Sequence, residues 1–365
     1  MRNLCDDSAR IGAGTDLPEA PPADRREIVA CRLTRGEAAQ IEALLRLLHE
    51  TGLPVESEHM ARELSLHAAL VPPRLRRLLL DLRGGLLPCA AVLVRGFAVD
   101  DAAIGASPQR WDHRWEAPET RREELYQGLI SAVAGELLAW ATQEDGRMFR
   151  HVVPMREAER AQIGSSSLVR LEVHTEEAHS PLRPELLSLL CLRNHERAAT
   201  GVCSAARVDL PDALKAALFE PRFIIHPDPS HSVAFNASYE GRLSEGQRRR
   251  SAELYRDPGP APIFTGSWSD PEIRIDPPYM STVPGDALAA EALATLCDRL
   301  AANIEAVVLE PGDLLLIDNA RCVHDRQPFV PLYSAAQRWL RRCQLTTDLR
   351  RSAAVRRTPS ARTIF

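Results

Sequence analysis

His174, Thr175 and Glu176 end a stretch, Leu168 to His174, in which apolar and polar residues alternate. In a strand, residues i and i+2 point to the same face, so an imidazole and a carboxylate converge on one point, as two ligands of a divalent metal would. A third ligand is available in His324, which follows the turn and apolar run Pro311-Gly-Asp-Leu-Leu-Leu-Ile-Asp318. Two histidines and one carboxylate form the facial triad of non-haem iron(II), which leaves three positions open for a co-substrate and oxygen. Fourteen residues beyond His324 stands Arg338. A metal-chelating 2-oxo acid with a distal carboxylate needs a buried cation, and a guanidinium binds it bidentately. The turn around residues 331–336 predicts that the strand carrying Arg338 runs back beside the one leading to His324. An HxE pair alone also arises by chance, the histidine then bonding only a neighbour. Lys215 is the one lysine among 45 basic residues, so the spacing of Arg338 weighs more than its type.

These residues need a scaffold, and the chain supplies alternating signals for one. Residues 1–26 lack periodicity and read as a flexible tail. Thr34-Arg-Gly-Glu37 is a capping box opening a helix with Ile41, Leu44, Leu45 and Leu48 on one face. A second helix spans about Arg74–Leu82 and stops at Gly84-Gly85. Cys89 to Val94 is a short apolar run, read as a buried strand. Leu125, Leu129, Val133, Leu137 and Trp140 keep helical spacing and predict one long helix over 119–142.

From about residue 165 the texture turns to short strands: Leu187–Leu192, Gly201–Val208, Phe223–His226, Ala306–Leu309, Leu314–Asp318 and Trp339–Thr346. Residues 209–300 interrupt them with turns and a helix over Asp286–Ala302. The expectation is an α+β fold: one domain over 27–365, with a jelly-roll core at about 165–350, flanking helices and a long insertion between core strands.

Composition narrows the partners. A net charge of −5 does not favour nucleic acid. No apolar run reaches the eighteen or so residues needed to cross a bilayer, and the charged Met1–Arg10 stretch has no export core, so a cytoplasmic location is expected. The eight cysteines form no CxxC pair, which argues against a structural zinc site and for reduced, buried thiols. Nothing here fixes an oligomeric state.

Several stretches occur in a telling order: Leu93-Val-Arg-Gly-Phe97, Trp140-Ala-Thr-Gln-Glu-Asp-Gly146, Gly164-Ser-Ser-Ser167, Leu171-Glu-Val-His-Thr-Glu-Glu-Ala178, Leu190-Cys-Leu-Arg-Asn194, Ile317-Asp-Asn-Ala-Arg-Cys-Val-His324 and Gln337-Arg-Trp-Leu-Arg-Arg342. The ordered set, over about residues 90–350, resembles the clavaminate synthase-like, arginine β-hydroxylase-like branch of the iron(II)/2-oxoglutarate-dependent oxygenases, in the taurine dioxygenase-like superfamily. It departs at Val173, where an aromatic residue is usual, and at His179-Ser180, where an aromatic–His pair is usual.

The resemblance implies a double-stranded β-helix with iron(II) on His174, Glu176 and His324, and 2-oxoglutarate on Arg338 with help from Thr200. It implies substrate contacts at Gln143, Ser165, Glu176 and Arg342, the last for the α-carboxylate, and at Asp276 for the side-chain head group. It further implies oxygen as co-substrate, a small amino-acid substrate and a place in specialised, antibiotic-type biosynthesis. Glu176 favours hydroxylation over halogenation, since halogenating relatives replace this carboxylate.

Arginine-hydroxylating relatives offer two acids spaced i and i+2 in the segment Arg274-Ile-Asp-Pro-Pro-Tyr279. Here the second position is Pro278. A lone carboxylate compensates a fixed cation less fully than a pair does. The expected substrate is therefore a free L-amino acid with a nitrogen-rich side chain, citrulline or arginine before lysine or ornithine, hydroxylated at Cβ or Cγ. The competing readings are a related oxygenase that desaturates, cyclises or takes a carrier-bound amino acid, a zinc- or manganese-dependent hydrolase or isomerase on a jelly roll, and a non-catalytic jelly-roll binding module.

Overall fold

The computed structural model describes residues 26–111, 118–232 and 258–364, with positions 245, 249, 252, 253 and 255 between them. The expected tail, Arg26 apart, lies outside the described residues.

Two sheets form the centre. The larger has eight strands, β1 (Ile28–Arg32), β2 (Ala91–Arg95), β3 (Glu136–Trp140), β4 (Arg150–Val152), β6 (Leu186–Arg193), β14 (Leu314–Asp318), β16 (Trp339–Thr346) and β17 (Thr363–Ile364), in the order β1-β2-β14-β6-β16-β3-β17, with β4 also on β16. The smaller has four strands, β5 (Leu171–His174), β7 (Ala199–Ser204), β13 (Glu305–Val308) and β15 (Cys322–Arg326), in the order β13-β7-β15-β5. The large sheet thus takes in strands from outside residues 165–350. The β7–β13 connection carries a three-stranded patch, β8 (Phe223–Ile225), β9 (Pro260–Ala261) and β12 (Met280–Thr282), and a hairpin, β10 (Phe264–Gly266) with β11 (Pro271–Ile273).

Alternation explains the layering. Along β14, Leu314 and Leu316 face one core while Leu315 and Ile317 face another. Residues of β2 and β6 divide the same way, so these strands are buried on both faces. One face meets helices α1 (Arg35–Glu50), α2 (Glu58–His67), α3 (Pro73–Arg83) and α4 (Arg121–Ala134). The other meets the small sheet through Val202 and Cys322. Beyond that sheet, Val173, Cys203 and Val323 pack on α5 (Asp212–Leu218) and α6 (Ala287–Ala302). The order is helices, large sheet, small sheet, helices.

The capping box at Thr34 forms, with Thr34 and Glu37 each accepting from the other's backbone N–H, and α1 buries the four expected residues. The single helix over 119–142 does not form. Helix α4 ends at Ala134, and Leu137 and Trp140 belong to strand β3. Gly135 passes so close to β16 that a Cβ there would lie 2.9 Å from the Thr346 carbonyl oxygen, which lets the chain turn from helix to paired strand within one residue. Helix α2, not anticipated from the sequence, starts on an N-cap, Ser57 accepting from the Met60 N–H. The expected strand over 201–208 runs instead from Ala199 to Ser204.

The seven described cysteines are all free. No helix among the described residues is long and apolar enough to cross a membrane.

Candidate active site

A cavity opens between the two sheets. Every residue singled out from sequence lines it: His174, Glu176 and His324; Arg338 and Thr200; Gln143, Ser165, Asp276 and Arg342. Strands β5 and β15 pair so that His174 and His324 are directly opposite each other. The imidazole Nε2 atoms lie 4.0 Å (His174) and 3.6 Å (His324) from Glu176 Oε1, so three donor atoms surround one point.

The surroundings hold these donors in place. His174 Nδ1 donates to the Glu172 carbonyl at 2.8 Å, leaving Nε2 with its lone pair for a cation. Asn319 is fully buried and clamps the Glu176 backbone, accepting from its N–H at 2.8 Å and donating to its carbonyl at 3.2 Å. Burial alone would raise the Glu176 carboxyl, but Arg342 and the two histidines hold it well below the usual range. Burial, helped by the charge of His324, pushes His174 down to about 4, so it stays neutral and able to ligate. This donor set fits iron(II).

Arg338 enters from the other sheet. It immediately precedes β16, which pairs with β6, β3 and β4 and not with β15. The expected side-by-side run with the His324 strand is therefore wrong. The arginine meets the histidines across the inter-sheet gap, because the turn at 331–336 carries the chain between sheets. Arg338 is 3% exposed, makes no ion pair among the described residues, and leaves its Nε buried without a partner. Burial lowers its pKa to about 10, with Cys191 and Glu196 offsetting only part of that cost. Thr200, on β7, is 3% exposed in the same cavity.

At the substrate side, Gln143 donates Nε2 to Ser230 Oγ at 2.7 Å. Arg342, expected to be free for a carboxylate, donates Nη1 to both Glu176 oxygens at 2.9 and 3.1 Å. Gln344 adds a bond to Glu176 Oε2 at 3.2 Å. Asp276 lies in the cavity wall with Pro278, and burial, then the charges of Asp228, Glu176 and Glu177, push its carboxyl well above the ordinary range. Asp228, which reads in the sequence only as a turn residue, lines the same cavity. Its Oδ1 accepts from the Ser230 N–H at 2.7 Å. Neither acid has an ion-pair partner among the described residues. Asp–Pro is an ordinary turn signal, so no local pattern marked Asp228 as a cavity residue.

Two sheets enclosing a two-histidine, one-carboxylate set and an unpaired arginine define an oxygenase that uses iron(II) and a 2-oxo acid. Residues 72–344 match the family described as taurine catabolism dioxygenase TauD, TfdA family, and the chain belongs to it. It is 35% identical over 343 residues to enduracididine beta-hydroxylase of Streptomyces hygroscopicus, covering 93% of this chain and all of that one. It is 34% identical to L-ornithine/L-arginine 3-hydroxylase of Catenulispora acidiphila, covering 85% of this chain and 92% of that one. Among solved structures, the non-heme iron oxygenase OrfP with Fe, succinate and (3S)-hydroxy-L-Arg superposes with a TM-score of 0.86 at 32% identity, over 92% of this chain and all of that one. The chain is an iron(II)- and 2-oxoglutarate-dependent dioxygenase of the amino-acid hydroxylase class, which sets aside the hydrolase, isomerase and binding-module readings.

Proposed function

We propose that this enzyme hydroxylates Cβ of a free L-amino acid whose long side chain ends in a cationic, guanidinium-type group, in specialised metabolism. The observation that carries this is the pair Asp228 and Asp276. Two half-buried carboxylates without ion-pair partners, set in one cavity wall, repel each other until a cation joins them. The second acid comes from outside the 274–279 segment, which removes the reason for placing a neutral ureido group first. Arginine, which the name of one relative carries, therefore stands ahead of citrulline. Attack at Cβ follows the relatives named as beta- and 3-hydroxylases.

Iron(II), when bound, would supply the oxidation, in which one atom of O2 enters a substrate C–H bond and the other enters the 2-oxo acid as it is converted to succinate and carbon dioxide. His174, Glu176 and His324 are assigned to the metal, and Arg338 with Thr200 to the distal carboxylate of 2-oxoglutarate. Arg342 takes the substrate α-carboxylate while one of its nitrogens stays on Glu176, and Gln143 and Ser165 meet the polar end of the amino acid. Two sheets packed face to face, with the site between them, support reading the core, about 165–350 within a domain of 27–365, as a double-stranded β-helix.

The test is a panel of amino acids under air with iron(II) and 2-oxoglutarate, scoring succinate and a product heavier by one oxygen. Arginine-type substrates should turn over fastest. Asp228→Asn and Asp276→Asn should each raise their KM at least tenfold, since stripping one partner from a buried charge pair costs roughly 2–5 kcal/mol. Because Asp276 must lose its proton to grip a cation, kcat/KM should climb as pH rises above the ordinary carboxylate range, and Asp276→Asn should flatten that limb. Equal turnover of citrulline and arginine, unchanged in both variants, would sink the reading.

A further inference from the structure

One residue past the proposed iron ligand Glu176, the chain builds a second cluster that the reaction above does not use. Glu177 adopts a left-handed backbone conformation, φ 56°. Its Oε2 lies 2.7 Å from His231 Nε2, and its Oε1 accepts from Gln344 at 2.9 Å. His179 stands edge-on to His231, with ring centroids 4.9 Å apart. One donor atom from each of Glu177, His179 and His231 falls within 4.8 Å of the others. All three residues are more than nine-tenths buried.

Two details point to a ligand. His179 Nε2 is buried with no hydrogen-bond partner, which native interiors rarely leave unexplained. His231 Nδ1 lies 2.8 Å from Thr142 Oγ1, which engages that nitrogen and leaves Nε2 facing the Glu177 carboxylate at 2.7 Å. Two imidazoles and a carboxylate, with a fourth position left for water, are a zinc donor set.

We propose that Glu177, His179 and His231 form a second metal site, for zinc(II) or a similar borderline divalent cation, separate from the iron site. Its role is positional. His231 closes the turn Pro229–His231, whose neighbours Asp228 and Ser230 line the cavity, while Glu177 and His179 follow the strand end that carries Glu176. A cation shared by the two segments pins the substrate-side wall to the proposed iron-bearing edge.

In the test, the enzyme is charged anaerobically with one equivalent of iron(II) and saturating 2-oxoglutarate, given one equivalent of zinc(II), desalted, and analysed for both metals. The expected result is one iron and one zinc per chain, with a higher Tm than the iron-only enzyme. His179→Ala and His231→Ala should keep the iron and lose the zinc. A His174→Ala/His324→Ala variant should still take up one zinc with a Tm rise. A single metal per chain in the wild type, with zinc excluded or merely exchanged for iron, overturns the site. So does zinc uptake that is the same in the His179 and His231 variants as in the wild type. In either case the cluster is an ion pair beside a packed imidazole.

Discussion

A guanidinium buried without an ion pair, as that of Arg338 is, keeps its charge at a cost that an incoming carboxylate can recover. Arg338→Ala should therefore raise the 2-oxoglutarate concentration needed for half-maximal succinate formation at least tenfold, from a loss of roughly 2–5 kcal/mol. Iron binding should be unaffected, since Arg338 lies on the other sheet from His174 and His324. An unchanged 2-oxoglutarate dependence would remove Arg338 from this role. The residues legible in the sequence are those whose relation is local or motif-borne: the HxE pair rests on strand periodicity, and Arg338 on its distance from His324. Asp228 was not legible, because its partnership with Asp276 exists only once the β7–β13 connection has folded back. Nor was the clamp of Asn319 on the Glu176 backbone, although Asn319 sits inside a recognised motif.

At the level of elements, the Pro311-Gly312-Asp313 turn sets where β14 starts, and hence the registers on both its flanks. Gly312 has φ 87°, and a Cβ there would come within 1.9 Å of the Phe97 carbonyl oxygen. Gly312→Ala should destabilise the fold by at least about 1–3 kcal/mol, the usual cost of a residue forced into this backbone region, with the backbone clash added. Urea unfolding would measure it, and a midpoint equal to that of the wild type would refute it. The turn itself was readable from Pro-Gly-Asp, as was β14 from its apolar run. The helix misread over 119–142 shows the limit of periodicity. Val133, Leu137 and Trp140 keep helical spacing by accident, because β3 is buried on both faces, Leu137 in one core and Trp140 in another, and so offers apolar residues at any spacing. What decided the break was the approach of Gly135 to β16, a tertiary contact invisible along the chain.

For the molecule as a whole, two buried imidazoles make stability depend on pH. Burial, with the charge of a neighbouring histidine, lowers His174 to about 4 and His179 to about 3. Below about 6.5 the unfolded chain takes up protons that the folded chain refuses, so the sign is a loss of stability as pH falls. The metal-free protein should lose up to roughly 1.4 kcal/mol per pH unit for each group, between pH 6.5 and about 4 for His174 and about 3 for His179. Buried acids raised into the same window, such as Asp318 at about 6, act with the opposite sign, so the check compares the pH slope of urea midpoints in wild type and His179→Ala, and equal slopes would count against the His179 shift. The two sheets also divide the labour of the site. The proposed iron and 2-oxoglutarate ligands sit on or beside β5, β7, β15 and β16, whose pairings lock them in register, whereas Asp228 and Asp276 hang on the β7–β13 connection. That connection supplies no strand to either of the two central sheets. With Asp228 and Asp276 in their proposed role, the side chain accepted can diverge by exchange of one loop-borne module while the oxidising centre is inherited unchanged.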